Sequence, residues 1–178
     1  VVAGDDLYGG TYRLFERVRK RSANLEFSFV DLGDRAALEA AVRPNTKLIW
    51  AETPTNPLLK VLDIAALADF ARKRGIRLAV DNTFATPILQ RPLELGAHLV
   101  MHSATKYLNG HSDMVGGMLV VGDDAELEEQ ITFLLIVAQM VPAVVMALGF
   151  YTIYVELGIL DTIPGLIVAD ATIAIPFG

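Results

Sequence analysis

The segment Ile76-Arg77-Leu78-Ala79-Val80-Asp81-Asn82-Thr83-Phe84-Ala85-Thr86-Pro87 joins an apolar run to a group of polar side chains. Ile76 to Val80 reads as a buried strand that ends at Asp81. Just upstream, Asp63 is placed to cap a helix from Ile64 to Arg74. Its apolar positions Ile64, Leu67, Ala68 and Ala71 share a face, its last turn is cationic, and Gly75 closes it. A capped amphipathic helix running straight into an apolar strand is the repeating unit of a parallel sheet.

The same alternation extends outward on both sides. Thr11 to Arg21 sets Leu14, Phe15 and Val18 against Arg13, Arg17 and Lys20 at helical spacing, and Phe27 to Val30 reads as a short strand. Asp34 caps a helix through Val42 that Pro44 stops, and Lys47 to Ala51 is an apolar strand entering the turn Thr53-Pro54-Thr55-Asn56-Pro57. Downstream, a helical turn is expected around Leu93, with strands at His98 to His102 and, after a glycine-rich loop, at Met118 to Val121. The fold class is therefore α/β, a mostly parallel sheet flanked by helices. In such sheets ligands bind at the carboxyl ends of the strands, and Glu52, Asp81 and Ser103 each follow a predicted strand. Three polar groups would converge at one edge.

Composition narrows the class of function. The 178 residues have room for one ordinary domain, and a hydrophobic fraction of 53% supports a substantial core. A net charge of -6 without a block of Lys and Arg argues against nucleic acid and for a small-molecule partner. The absence of cysteine excludes disulfides and thiolate chemistry, and three dispersed histidines do not suggest a metal site. The opening Val1-Val2-Ala3-Gly4-Asp5-Asp6 has neither initiator methionine nor signal-peptide character, as expected for the interior of a longer protein. Near residue 130 the composition changes abruptly. All fifteen Lys and Arg lie before that point, and Ile131 to Val155 is 25 uncharged residues, long enough to cross a bilayer as a helix. Two parts are expected: 1–130, and an apolar helical segment 131–178 through which membrane association is conceivable.

The chemistry-bearing residues cluster in Val80-Asp81-Asn82-Thr83-Phe84-Ala85-Thr86-Pro87, in His102-Ser103-Ala104-Thr105-Lys106-Tyr107 and in Gly110-His111-Ser112-Asp113. An acid after a strand is ordinarily a helix cap or a solvated turn, and a lone lysine a surface group. In combination, with Lys106 twenty-five residues after Asp81, they are more specific. With Leu7-Tyr8-Gly9-Gly10-Thr11 and Glu52-Thr53-Pro54-Thr55-Asn56-Pro57, the chain from Tyr8 to about Gln130 resembles the transsulfuration, or Cys/Met metabolism, family of pyridoxal-phosphate (PLP) enzymes, which includes cystathionine synthases and lyases.

The resemblance implies a truncated large-domain core of PLP fold type I. It implies that Lys106 bonds covalently to the cofactor and then moves protons, and that Asp81 keeps the pyridine nitrogen protonated. It further implies that Ser103 and Thr105 donate to the phosphate, that Asn56 contacts the phenolic oxygen, and that Tyr8 stacks on the ring. Glu52 is left between orienting its neighbours and pairing with a buried cation. His102, His111 and Asp113 read as structural. The implied reaction is elimination or replacement at the beta or gamma carbon of sulfur-containing amino acids, in a cytoplasmic tetramer with shared active sites. The upstream segment and C-terminal domain that complete such sites are not in this sequence, so catalysis by these residues alone is not expected. From about Met140 the tail resembles instead a permease subunit of an ABC transporter, on Val141-Pro142-Ala143-Val144-Val145 and Glu156-Leu157-Gly158-Ile159-Leu160-Asp161-Thr162. A hybrid of the two parts, or a transporter fragment, is the alternative.

Overall fold

The structure, a computed structural model, describes residues 1–132 and residues 151, 152, 155, 156, 158 and 162. It divides into two compact units, Val1–Asp124 and Ala125–Gly178. In the second, residues 125–132 are helical. Among the described residues no helix is long and apolar enough to cross a membrane. The span expected over Ile131 to Val155, and the transporter-like segment beyond Met140, lie almost wholly outside the described residues.

The first unit is built on a six-stranded sheet. Its strands are β1 (Val2–Gly4), β2 (Ser28–Val30), β3 (Leu48–Glu52), β4 (Arg77–Asp81), β5 (Leu99–Ser103) and β6 (Gly117–Val121), in the order β2-β1-β3-β4-β5-β6. The first five are mutually parallel and β6 runs antiparallel to β5. β1 was not anticipated from sequence. Three residues leave no periodicity to detect, yet they form the joint between β2 and β3 and are fully buried.

The two capped helices form as expected. In α3 (Arg35–Ala41) the Asp34 carboxylate accepts from the amides of Ala36 and Ala37 at 2.9 and 3.2 Å, and in α4 (Ile64–Arg72) Asp63 accepts from Ala66 at 2.9 Å. Gly75 takes a left-handed φ of 63°, which lets the Ile76 amide reach back to the Ala71 carbonyl and turns the chain into β4. The predicted face of α4 is buried, joined by Phe70, over which the guanidinium groups of Arg35 and Arg74 sit at 4.1 and 3.8 Å from the ring centroid. These residues pack with Ile49, Leu78, Val80 and Val100 of the sheet into one core.

Elsewhere the structure departs from expectation. The helix read at Thr11 to Arg21 starts earlier, as α1 (Gly9–Arg13), and winds as a π-helix over Leu14–Arg19 before α2 (Lys20–Ser22). Its aromatic residues carry the packing: Phe15 stacks on Phe27 at 4.9 Å and meets Trp50 of β3 edge-on at 5.4 Å, while Tyr12 lies 4.9 Å from Phe29. Around Leu93 the amides of Glu94, Leu95 and Gly96 reach the carbonyls of Arg91, Pro92 and Leu93 at 3.1, 3.1 and 3.0 Å, a single tight turn of helical type rather than a full helix. A helix forms instead at α5 (Thr86–Leu89), where Pro87 at the first turn is compatible with a helix start.

Candidate functional site

The carboxyl ends of β3, β4 and β5 are Glu52, Asp81 and Ser103, all on one edge of the sheet. Because β6 returns antiparallel, pairing Gly117 with Ser103, the loop between β5 and β6 leaves and re-enters at this same edge. That loop contains Lys106. It is pinned by the Lys106 amide on the Ser103 carbonyl at 3.2 Å, the Asn109 amide on Ala104 at 3.0 Å and the Gly110 amide on Lys106 at 2.9 Å. The Thr105 hydroxyl donates to the Gly116 carbonyl at 3.2 Å and accepts the Gly116 amide at 2.9 Å.

A cavity of about 980 Å³ opens at this edge. All six residues picked out from sequence line it: Tyr8, Asn56, Asp81, Ser103, Thr105 and Lys106. Glu52, Thr83, Phe84 and Tyr107 also contribute, the last two rings meeting edge to face at 6.1 Å. Tyr8 precedes α1, its amide donating to Glu52 Oε2 at 2.8 Å, and its ring lies over Gly10, where any Cβ would collide with Cε1. Any larger residue at position 10 would therefore displace the half-exposed Tyr8 ring.

Asp81 is only 4% exposed. Its Oδ1 accepts both the Thr83 amide at 3.0 Å and the Thr83 hydroxyl at 2.6 Å, which leaves Oδ2 for a donor in the cavity. Burial pushes its carboxyl above the usual carboxylate range, against the two Thr83 hydrogen bonds and the nearby His102. Glu52 is pushed up to about 7, chiefly by burial, with the Tyr8 amide opposing and the carboxylates of Asp81 and Asp6 adding to the rise. His102 is 3% exposed and its Nδ1 has no partner. His111 Nδ1 lies 2.8 Å from the Asn109 carbonyl, and Asp113 accepts from the Asn109 side chain at 2.7 Å, so both help to shape the loop.

Thr83 is the site residue that sequence reasoning passed over. Its hydroxyl donates to Asp81 and accepts the Ser103 amide at 2.8 Å, linking the ends of β4 and β5. A hydroxyl two residues after a strand-end acid is a common turn feature, so its reach to the next strand left no trace in the string itself.

A buried carboxylate without a counter-ion is costly, and among the described residues Asp81 forms no salt bridge. The Lys106 ammonium on the same cavity is likewise unpaired among the described residues. A ligand that brings a cationic ring nitrogen to one and an electrophilic carbon to the other would satisfy both, so the residues present fit a pyridine aldehyde such as PLP.

The chain belongs to the Cys/Met metabolism PLP-dependent enzyme family, which it matches over residues 1–156. The match thus continues past the limit near Gln130 that the resemblance suggested, and the transporter resemblance read from Met140 finds no support over residues 140–156. Cystathionine beta-lyase of Coxiella burnetii (strain RSA 493 / Nine Mile phase I) is 59% identical over 134 residues, covering 75% of this chain and 35% of that protein. Cystathionine gamma-lyase of Bacillus subtilis (strain 168) is 57% identical over 133 residues, covering 75% and 35%. Among solved structures, cystathionine gamma-lyase from Lactobacillus plantarum complexed with L-serine superposes with a TM-score of 0.72 at 50% identity, covering 75% of this chain and 34% of that one. The chain therefore spans about a third of the length of these relatives.

Proposed function

We propose that residues 1–130 are the cofactor-holding part of a PLP-dependent enzyme acting on sulfur-containing amino acids, of the cystathionine synthase or lyase type. The observation that carries this reading is that one cavity is lined by both a buried carboxylate, Asp81, and an amine, Lys106, neither of which forms a salt bridge among the described residues. The names of the relatives, beta-lyase and gamma-lyase alike, support the reaction class and do not separate its members.

When bound, PLP supplies an electron sink for charge developing on the substrate alpha carbon. In this assignment Lys106 Nζ would hold the cofactor covalently and would carry the proton taken from the substrate. Asp81 would keep the ring nitrogen protonated. Tyr8 would stack on the ring, and Asn56 would contact the phenolic oxygen. Ser103 offers a hydroxyl to the phosphate. Thr105 offers the same group type, although its hydroxyl is engaged with Gly116.

The test is chemical. The 178-residue chain is incubated with PLP, reduced with borohydride, digested and analysed by mass spectrometry. Expected is a single phosphopyridoxyl adduct on Lys106 that is absent in Lys106→Ala. An adduct confined to other lysines, or bound-cofactor absorption that survives Lys106→Ala unchanged, overturns the assignment.

A further inference from the structure

Two carboxylates reach across the gap between the loops that carry Tyr8 and Asn56, in opposite directions. Asp6 lies in the loop after β1, two residues before Tyr8; Glu52 ends β3, four residues before Asn56. Glu52 Oε2 accepts the Tyr8 amide at 2.8 Å. Asp6 Oδ2 accepts the Thr55 hydroxyl at 2.5 Å and the Leu58 amide at 3.0 Å, so it grips the chain on both sides of Asn56. The turn is closed on itself by Thr55, whose amide donates to the Lys60 carbonyl at 3.0 Å and whose hydroxyl oxygen accepts the Lys60 amide at 2.8 Å.

Among the described residues neither carboxylate forms a salt bridge. Asp6 is 8% and Glu52 6% exposed, and the neighbouring Lys60 ammonium binds Asp31 and Asp5 instead. Burying an acid without a counter-ion costs free energy that the hydrogen bonds it accepts only partly offset. Here the bonds they accept all run between the two loops.

We infer that Asp6 and Glu52 are reciprocal positioning residues, locking the Tyr8 loop and the Asn56 turn to each other and so fixing the separation of the Tyr8 ring and the Asn56 amide on the cavity wall. The link to ligand binding rests on the cofactor reading above; the cross-tie itself does not. The charged groups facing Glu52 are Asp81 and Asp6, and Lys106 lines the same cavity. With its carboxyl near half-protonation at neutral pH, Glu52 can accept the Tyr8 amide in either state, and a glutamine carbonyl can do the same.

The experiment has two readouts on the unliganded and PLP-titrated 178-residue chain. In amide hydrogen exchange, Glu52→Ala is expected to reduce protection of Tyr8 directly and of Leu58 indirectly, each by about tenfold, and Asp6→Ala to mirror this; Glu52→Gln and Asp6→Asn should stay near the parent. In PLP titration the alanine variants should bind about tenfold more weakly while still labelling at Lys106, and Glu52→Gln should bind with parental affinity. Unchanged Leu58 exchange in Glu52→Ala, or parental PLP affinity once both amides are deprotected, overturns the inference. A parent chain that takes no PLP on Lys106 refutes the cofactor reading alone, because the exchange data still decide the cross-tie. If the alanine variants fail to fold, Thr55→Val decides, because it removes the hydroxyl that donates to Asp6: Tyr8 protection unchanged from the parent overturns it.

Discussion

Glu52 and Asp81 are registered partners at the ends of adjacent parallel strands, two acids side by side where the sheet meets the cavity. Parallel pairing makes this unavoidable once both strands end on an acid, since their last residues are held at neighbouring positions of the ladder. Asp81 raises the cost of ionising Glu52, and the surroundings of the two acids differ. Asp81 has two Thr83 hydrogen bonds favouring its charged form, whereas Glu52 has one from Tyr8. The carboxylate better supported as an anion is therefore Asp81, the one proposed to face a cationic ring.

Glu52→Gln should change how stability depends on pH. The Glu52 carboxyl is raised from 4.5 to about 7 on folding, so the folded chain holds its proton more tightly than the unfolded chain. That contribution is complete below pH 4.5 and is lost as pH rises through 7. Denaturant unfolding of the parent should accordingly show a decline of about 2 kcal/mol over this window beyond that of Glu52→Gln, allowing for partial solvent screening. Parallel curves for the two proteins would contradict the shift.

Thr83→Val should damage the site without replacing any residue proposed to contact the cofactor. The valine keeps the side-chain shape but leaves the Ser103 amide without its 2.8 Å acceptor and Asp81 without its 2.6 Å donor. A loss of about 1 to 3 kcal/mol is expected, with Thr83→Ser close to the parent. The Asp81 carboxyl should move further upward, which a carbon-13 NMR titration would detect.

What was legible in the string were features with local causes. Asp34 and Asp63 announce helix starts, Gly75 a helix stop, and the apolar runs ending at Glu52, Asp81 and Ser103 place those residues on one sheet edge. Structure with little sequence of its own was not legible. β1 has three residues and α5 four, too few for a period, and the π-helical winding of Leu14–Arg19 has no distinct pattern in the string. The Asp6 and Thr83 contacts join residues 49 and 20 apart in the chain, a separation at which only the folded sheet brings partners together.

Phe70→Ala should be the most damaging single change in the core. The ring is 1% exposed and packs in the same cluster as Leu38, Ile49 and Leu78, with Arg35 and Arg74 closing its outer face. Truncation leaves a void that two guanidinium groups border, and a loss of about 3 to 5 kcal/mol is expected by urea unfolding. Phe70→Leu should cost about 1 kcal/mol, since it keeps most of the volume and loses mainly the cation–ring contacts.

Asn82 and Gln90 form a closed amide pair that ties three segments behind the cavity. Asn82, fully buried, donates from Nδ2 to the Gln90 carbonyl at 2.9 Å and accepts from Gln90 Nε2 at 2.8 Å; the same Nε2 donates to the Thr53 carbonyl at 3.0 Å. Asn82→Asp puts an oxygen where the donor was, so at neutral pH a buried charge would face the Gln90 carbonyl. A loss of about 3 kcal/mol at pH 7 follows, larger than for Asn82→Ala, because alanine removes the donor without adding a charge. Protonation supplies a hydroxyl that can donate to Gln90, so part of the loss should be recovered as pH falls through the raised carboxyl value. Urea unfolding of both variants at pH 5 and 7 checks this. An aspartate variant no less stable than the alanine variant at pH 7 would show that Nδ2 is not held against the Gln90 carbonyl.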